Sequence, residues 1–283
     1  MKVGIVKKLI AFVAVSTIAI SMVGCGSANS GNTEKKEDTT AKTTATAIDA
    51  IKSRGKLVVG TSADYSPYEF HAQIDGKDQI VGFDVEIAKQ FAKDLGVELE
   101  IKDMAFDGLL VALQSDKVDM VFAGMTPTDE RKQNVDFSDI YYTATHRFIV
   151  RSGDETKITS MDDLKGKTIG VQKGSIQADI AKEKFGEENL KALDKVTDLV
   201  LDLKNNKVDA VLAELPVGEI NVSKNTGIAI VKDLVVTDPT GGCAIAMKKN
   251  STELQAEINK TIKKLQDEDK IKDLVKQANE MVE

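Results

Sequence analysis

GFDVEIAKQFAKDLGVELEIKDMAFDGLLVALQSDKVDMVFAG, residues 82–124, reads as helix, strand, helix, strand. Val85, Ala88, Phe91, Ala92 and Leu95 recur at helical spacing between Asp84, near the start, and Gly96, a C-terminal stop. Residues 97–104 follow as a strand, 106–117 as a second helix and 118–124 as a second apolar strand. KLVVGTS (56–62), an apolar β-rich run closed by a turn around Pro67, supplies a strand ahead of them. The order βαβαβ predicts a parallel sheet with helices on its faces.

The plan recurs downstream. Strands are expected at 147–151, 167–172, 208–214 and 228–236, a capped helical turn at 160–166, and helices at 175–186, 197–207 and from Pro216 to Gly227. LVALQSDKVDMVFAG (110–124) matches LVLDLKNNKVDAVLAE (199–214): each is a helix, a short polar turn and a strand opening on Val-Asp. Two domains sharing one plan are therefore expected, with a last strand at 243–249 and two amphipathic helices running to 283. Open sheets of this kind bind ligands beyond the C-terminal ends of their strands. The loops placed there are 61–68, 123–131, 172–176 and 214–216, two from each half, so a ligand touching all four sits in a cleft between them.

Within the second loop, Thr126, Pro127 and Asp129 fit a helix N-terminus as cap, first-turn proline and acid. Arg131 then lies close to free backbone N–H groups and the positive end of the helix dipole. An arginine grips a carboxylate with two parallel hydrogen bonds, so the segment suits a small anion such as an α-carboxylate. A capped surface helix with a solvated charge run uses the same residue types.

The N-terminus reads as a targeting segment. Lys2, Lys7 and Lys8 precede a predominantly apolar run, Leu9–Ile20, too short to span a bilayer. Met22-Val23-Gly24-Cys25 resembles a bacterial lipobox, which makes 1–24 a signal peptide and Cys25 the lipid attachment site. Residues 26–47 hold no aromatic side chain and read, with Cys25, as a flexible tether reaching roughly 25 Å. Cys243 is the other cysteine, so no intramolecular disulfide is expected. His71 and His146 read as incidental, and neither a metal cluster nor a cofactor is expected. A net charge of −7 with no tryptophan and no basic stripe argues against nucleic acid. KGKT (165–168) lacks the glycine a phosphate loop needs five residues before Gly166, where Met161 stands.

GTSADYSPYEF, VGFDVEIA, FDGLLVALQSDKVDMVFAGMTPTDERKQNVDFSDIYY, IGVQKGSIQ and VDAVLAELPV together resemble the solute-binding proteins of polar amino-acid ABC transporters, over nearly all of 53–275. The resemblance implies the two-lobed periplasmic-binding-protein type II fold, α/β, with two crossover hinge strands. Lobe I would hold 48–142 plus 243–283 and lobe II 146–236, with hinges at 143–145 and 237–242. It implies that Arg131 pairs with a ligand α-carboxylate, helped by the Gly124 backbone, by Thr126 and by the Ile176 N–H. Glu214 stands where the family usually has the aspartate for the α-ammonium, and Tyr65 and Phe106 match aromatic walls. Ser62 stands where several members have an aspartate reading the ligand's far end; Asp64 and Gln172 are candidate substitutes, and Met125 and Ser175 complete the contact set.

The implied protein is no enzyme. It is a monomeric, lipid-anchored receptor on the outer face of the cell membrane of a Gram-positive type bacterium. Its partners would be a free amino acid, with a lean to arginine or lysine and glutamine next, and the permease subunits. Two other functions use the fold. A sensory or adhesion module usually carries a transmembrane segment and signalling domain beyond the lobes, and the sequence stops at Glu283 with neither. A dehydratase-like enzyme needs a positioned acid or base, for which Glu214 is the one cleft candidate.

Overall fold

The computed structural model describes residues 46–238 and 240–282. The expected signal peptide, Cys25 and nearly all of the expected tether lie outside the described residues. The tether ends sooner than expected, because Thr46 caps α1 (Ala47–Arg54) in a capping box with Asp49.

The first lobe continues with β1 (Lys56–Thr61), β2 (Asp64–Tyr65), β3 (Glu69–Ile74), β4 (Lys77–Val81), α2 (Phe83–Leu95), β5 (Glu98–Asp103), α3 (Leu109–Gln114), β6 (Met120–Val121), α4 (Asp129–Asn134) and β7 (Val135–Phe137). The second holds β8 (His146–Arg151), β9 (Ile169–Gln172), α5 (Ile176–Phe185), β10 (Leu190–Leu193), α6 (Val196–Lys204), β11 (Ala210–Glu214), α7 (Leu215–Lys224) and β12 (Ile228–Ile230). The chain returns to the first through β13 (Ala246–Lys248), α8 (Thr252–Asp267) and α9 (Lys270–Val282).

Each lobe is built on a five-stranded sheet, ordered β5-β1-β6-β13-β7 and β10-β9-β11-β8-β12. β1 pairs in parallel with β5 and β6, as β9 does with β10 and β11; the remaining pairs are antiparallel. The repeated Val-Asp does the same work in both. Asp119 accepts the Val58 N–H at 2.7 Å and pairs with Arg54; Asp209 accepts the Thr168 N–H at 2.9 Å and pairs with Arg151. On the neighbouring strand, Gly60 faces Leu109 and Val118, and Gly170 faces Leu199, Val211 and Val208, each so closely that an added Cβ would push its neighbours by a few tenths of an ångström. The matched halves in the sequence are thus matched halves in space.

Two chain passages join the lobes. They run side by side, antiparallel, bridged at Tyr142–Cys243 and His146–Val236. The strand expected over 228–236 is shorter: β12 ends at Ile230, and only Val236 pairs again, through His146. The exposed Lys232 and Asp233 lie in that gap, where charged side chains cannot join a buried ladder.

The three-stranded sheet β2-β3-β4 had no counterpart in the sequence reading. Its hairpin turns on Asp75-Gly76, both at positive φ (52° and 73°), the conformation a two-residue turn of this hand requires. This sheet holds the Tyr65–Glu69 segment against α2, and Gly82 makes the fit possible. At φ 129°, a Cβ there would lie 2.1 Å from the Tyr68 carbonyl oxygen. Gly82→Ala is expected to cost about 2–3 kcal/mol and lower the melting temperature by about 5–10 °C, read by calorimetry. An unchanged melting temperature would show that the β2–β3 segment is free to shift.

Candidate functional site

Four strand ends meet between the lobes. Tyr65, Phe106, Ala123, Gly124, Thr126, Arg131, Gln172, Ser175, Ile176 and Gln177 enclose a tight cavity of about 10 Å³, about the room one water needs, so a larger ligand requires these walls to move apart. Eight of these were expected from the sequence; Ala123 and Gln177 were not.

Arg131 dominates the cavity. The helix it belongs to, α4, starts later than its sequence suggests: Thr128 is the cap, its side chain accepting the Arg131 N–H at 3.3 Å, and Thr126 and Pro127 lie before it. Arg131 is therefore in the first helical turn, and Thr126 is freed to turn its hydroxyl toward Asp238, 3.4 Å away. The Arg131 guanidinium donates to the Thr126 carbonyl at 2.6 Å and across the cleft to the Gly174 carbonyl at 2.8 Å. Its carbon lies 5.5 Å from the centre of the Phe106 ring, within cation–π range. Burial pulls its pKa below the ordinary arginine value, yet a guanidinium remains charged in proteins.

The opposite wall is the start of α5. Ser175 caps it, accepting the Ala178 N–H at 3.2 Å and donating to the Gln172 carbonyl at 2.7 Å. Ile176 is the first helical residue, so its N–H is one of the free first-turn donors, at the positive end of a ten-residue helix. A planar cation and a helix N-terminus thus face one cavity, an arrangement chemically suited to a carboxylate.

Tyr65 forms the aromatic wall. Its hydroxyl accepts from Gln177 Nε2 at 3.2 Å and lies 3.5 Å from the Glu214 N–H. Gln177 also donates to His146 Nδ1 at 3.2 Å. His146, fully buried with its pKa lowered by burial, is part of this network rather than incidental. His71 is exposed, between Asp78 and Asp103.

Four expected residues do not line the cavity. Met125 is a core residue, 1% exposed, and its backbone carbonyl is taken by the Ala244 N–H at 2.9 Å. Ser62 and Asp64 lie to one side, bonded to each other at 3.2 Å. Glu214 sits behind Tyr65 at the end of β11; the Cys243 thiol reaches its Oε1 at 3.6 Å, and its Oε2 is buried without a hydrogen-bond partner. Burial pushes the Glu214 carboxyl up to about 7, against nearby Tyr68 and Cys243, which pull it down.

Two more groups support the site. Asp84 Oδ2, at the start of α2, accepts the Gly124 N–H at 2.9 Å and the Tyr141 hydroxyl at 2.7 Å, which fixes the loop leading to Arg131. Glu69 is fully buried with neither carboxyl oxygen hydrogen-bonded, and burial raises its pKa well above the ordinary value.

A family model described as bacterial extracellular solute-binding proteins, family 3, matches residues 57–280. The chain is 40% identical over 275 residues to the arginine-binding extracellular protein ArtP of Bacillus subtilis, covering 95% of this chain and 97% of that protein. It is 31% identical to the ABC transporter glutamine-binding protein GlnH of the same organism, over 95% of this chain and 96% of the relative. Among solved structures it is similar to AbpA, an amino-acid ABC transporter substrate-binding protein from Streptococcus pneumoniae bound to L-arginine. There the TM-score is 0.80 and the identity 43%, covering 83% of this chain and 98% of the other. A family match over residues 57–280, along both lobes, places this chain among the bacterial extracellular solute-binding proteins of family 3.

Proposed function

We propose that this protein is the extracytoplasmic receptor of an amino-acid ABC importer, binding a free amino acid between its lobes. The observation carrying this reading is the Arg131 fork facing the N-terminus of α5 across one cavity. Both charges of a zwitterion must be replaced when it leaves water. Arg131, the Gly124 backbone, the Ile176 N–H and the Thr126 hydroxyl take the carboxylate, Tyr65 and Phe106 the aliphatic stem, and Glu214, behind Tyr65, reaches the ammonium as the cavity opens to admit the ligand. Gln172 and Ser175 line the side-chain end, with Ser62 to one side of it.

A cationic ligand, arginine or lysine, is favoured over glutamine. Glu69 lies within electrostatic reach of Asp64, Asp84 and Glu214, and burial raises the pKa of all four. A nearby cation lowers the cost of ionising such a cluster. The similar ArtP and AbpA carry arginine in their descriptions. Closure is a hinge motion at 143–145 and 237–242, between lobe I (48–142 and 243–283) and lobe II (146–236). Cys25 carries the lipid anchor on the outer face of a Gram-positive type membrane, and the monomeric receptor delivers its ligand to permease subunits. Titration calorimetry of the purified protein against the twenty amino acids tests this. Tight binding of arginine or lysine is expected, and silence toward all twenty rules the reading out.

A further inference from the structure

Helix α6 begins without a cap of its own. The residue at its cap position is Lys195, whose side chain makes no capping bond. The first-turn amide of Val196 instead donates to Asp64 Oδ2 at 2.6 Å, 132 residues away on the other lobe. The second oxygen of Asp64, Oδ1, accepts from Gln172 Nε2 at 3.4 Å, so one carboxylate of lobe I engages two elements of lobe II. Within its own lobe its side-chain partner is Ser62.

We propose that Asp64 is a positioning residue, a latch that caps a lobe II helix from lobe I and biases the receptor toward its closed form. The inference rests on the reading of the protein as an amino-acid receptor. A carboxylate at a helix N-terminus gains both a charge-assisted hydrogen bond and the dipole's field. Opening the lobes forfeits both and leaves the α6 amide without its cap. Other interlobe contacts are of a different kind: Lys173–Asp107, at 2.7 Å, is a solvent-exposed pair of small worth, Gln177 and the Glu214 N–H meet the Tyr65 hydroxyl as neutral hydrogen bonds at 3.2 and 3.5 Å, and Arg131–Gly174 belongs to the ligand site. Lys195 favours the charged latch, while Asp103 and Glu69 oppose it.

A latch raises the population of the closed form and therefore the affinity for every ligand alike. A side-chain reader affects only the ligands it reads. Calorimetry of the wild type, Asp64→Ala and Asp64→Asn with arginine, lysine and glutamine separates the two. Asp64→Ala weakens all three by the same factor, about tenfold. Asp64→Asn, whose amide oxygen still accepts the Val196 N–H, loses less and also uniformly. Burial between the lobes raises the Asp64 carboxyl to about 6, so the closed form takes up a proton that a solvated Asp64 releases, and the wild-type advantage over Asp64→Ala grows as pH falls below about 6. Selective loss of arginine and lysine, with glutamine unaffected, overturns the latch. Small-angle scattering of the same proteins without added ligand reads it independently: Asp64→Ala increases the radius of gyration, and an unchanged radius overturns the proposal. If the wild type binds no amino acid, the receptor reading fails, while scattering still decides the latch.

Discussion

Arg131→Ala abolishes measurable amino-acid binding, an expected loss of about 10²–10⁴-fold in affinity. The magnitude follows from what the mutation leaves behind. A ligand carboxylate would enter the cavity still stripped of water, with the Ile176 amide and the Thr126 hydroxyl as its remaining donors, and an unpaired charge in such a place is strongly penalised. The protein itself loses little. The Thr126 and Gly174 carbonyls each lose one hydrogen bond, worth about 1 kcal/mol, and Arg131 is only half-buried. Loss of binding with a nearly unchanged melting temperature is therefore the signature, measured by calorimetry on one preparation. Arg131→Lys keeps the charge but not the planar fork, and falls between. Lys132→Ala, at the next residue of the same short helix and exposed, changes nothing. Near wild-type affinity in Arg131→Ala would place the carboxylate elsewhere.

What the sequence made legible, and what it hid, follows from the range of the interactions. The apolar stripe of α2 and the buried runs of β1, β9 and β11 were readable, because burial imposes a period on consecutive residues. The matched Val-Asp segments were readable for the same reason. The Asp75-Gly76 hairpin carried a strong local signal, a turn pair between β-forming runs, which the turn around Pro67 overshadowed. In TPTDER either threonine could cap a helix followed by an acid; Thr128 won because Thr126 is buried against the crossover at Asp238. Gln177 with Tyr65, Asp64 with Val196 and Asp84 with Gly124 join residues 112, 132 and 40 positions apart. No period marks such pairs, since each depends on how two lobes or two layers meet. Glu214 was singled out through the resemblance alone, and its burial behind Tyr65 was invisible until the lobes were in place.

Glu214→Gln is expected to lose at least 100-fold in affinity and, at pH 8, to make the ligand-free protein more stable than the wild type. The two effects have one cause. Burial raises the Glu214 carboxyl from 4.5 to about 7. The native state therefore holds a proton that the unfolded chain releases between about pH 4.5 and 7. Stability from this group is fully present below 4.5, declines through that window and stays low above 7, a penalty of roughly 3 kcal/mol. A neutral glutamine removes the penalty, so its advantage is large at pH 8 and fades by pH 5, read from urea midpoints at the two values. His146, with its lowered pKa, contributes in the opposite direction to both proteins and cancels in the comparison. A ligand ammonium acts on Glu214 in the reverse sense, stabilising the carboxylate and expelling its proton. Arginine affinity should consequently fall by up to tenfold per pH unit below about 7, and calorimetry in buffers of different ionisation enthalpy should register proton release near pH 6.5. An amide cannot pair with an ammonium's charge, so the variant shows neither the affinity nor the proton release. Retained affinity in Glu214→Gln would remove Glu214 from the ammonium's surroundings, and turnover of a bound acid by the wild type, lost in the variant, would instead make this carboxyl a general acid or base.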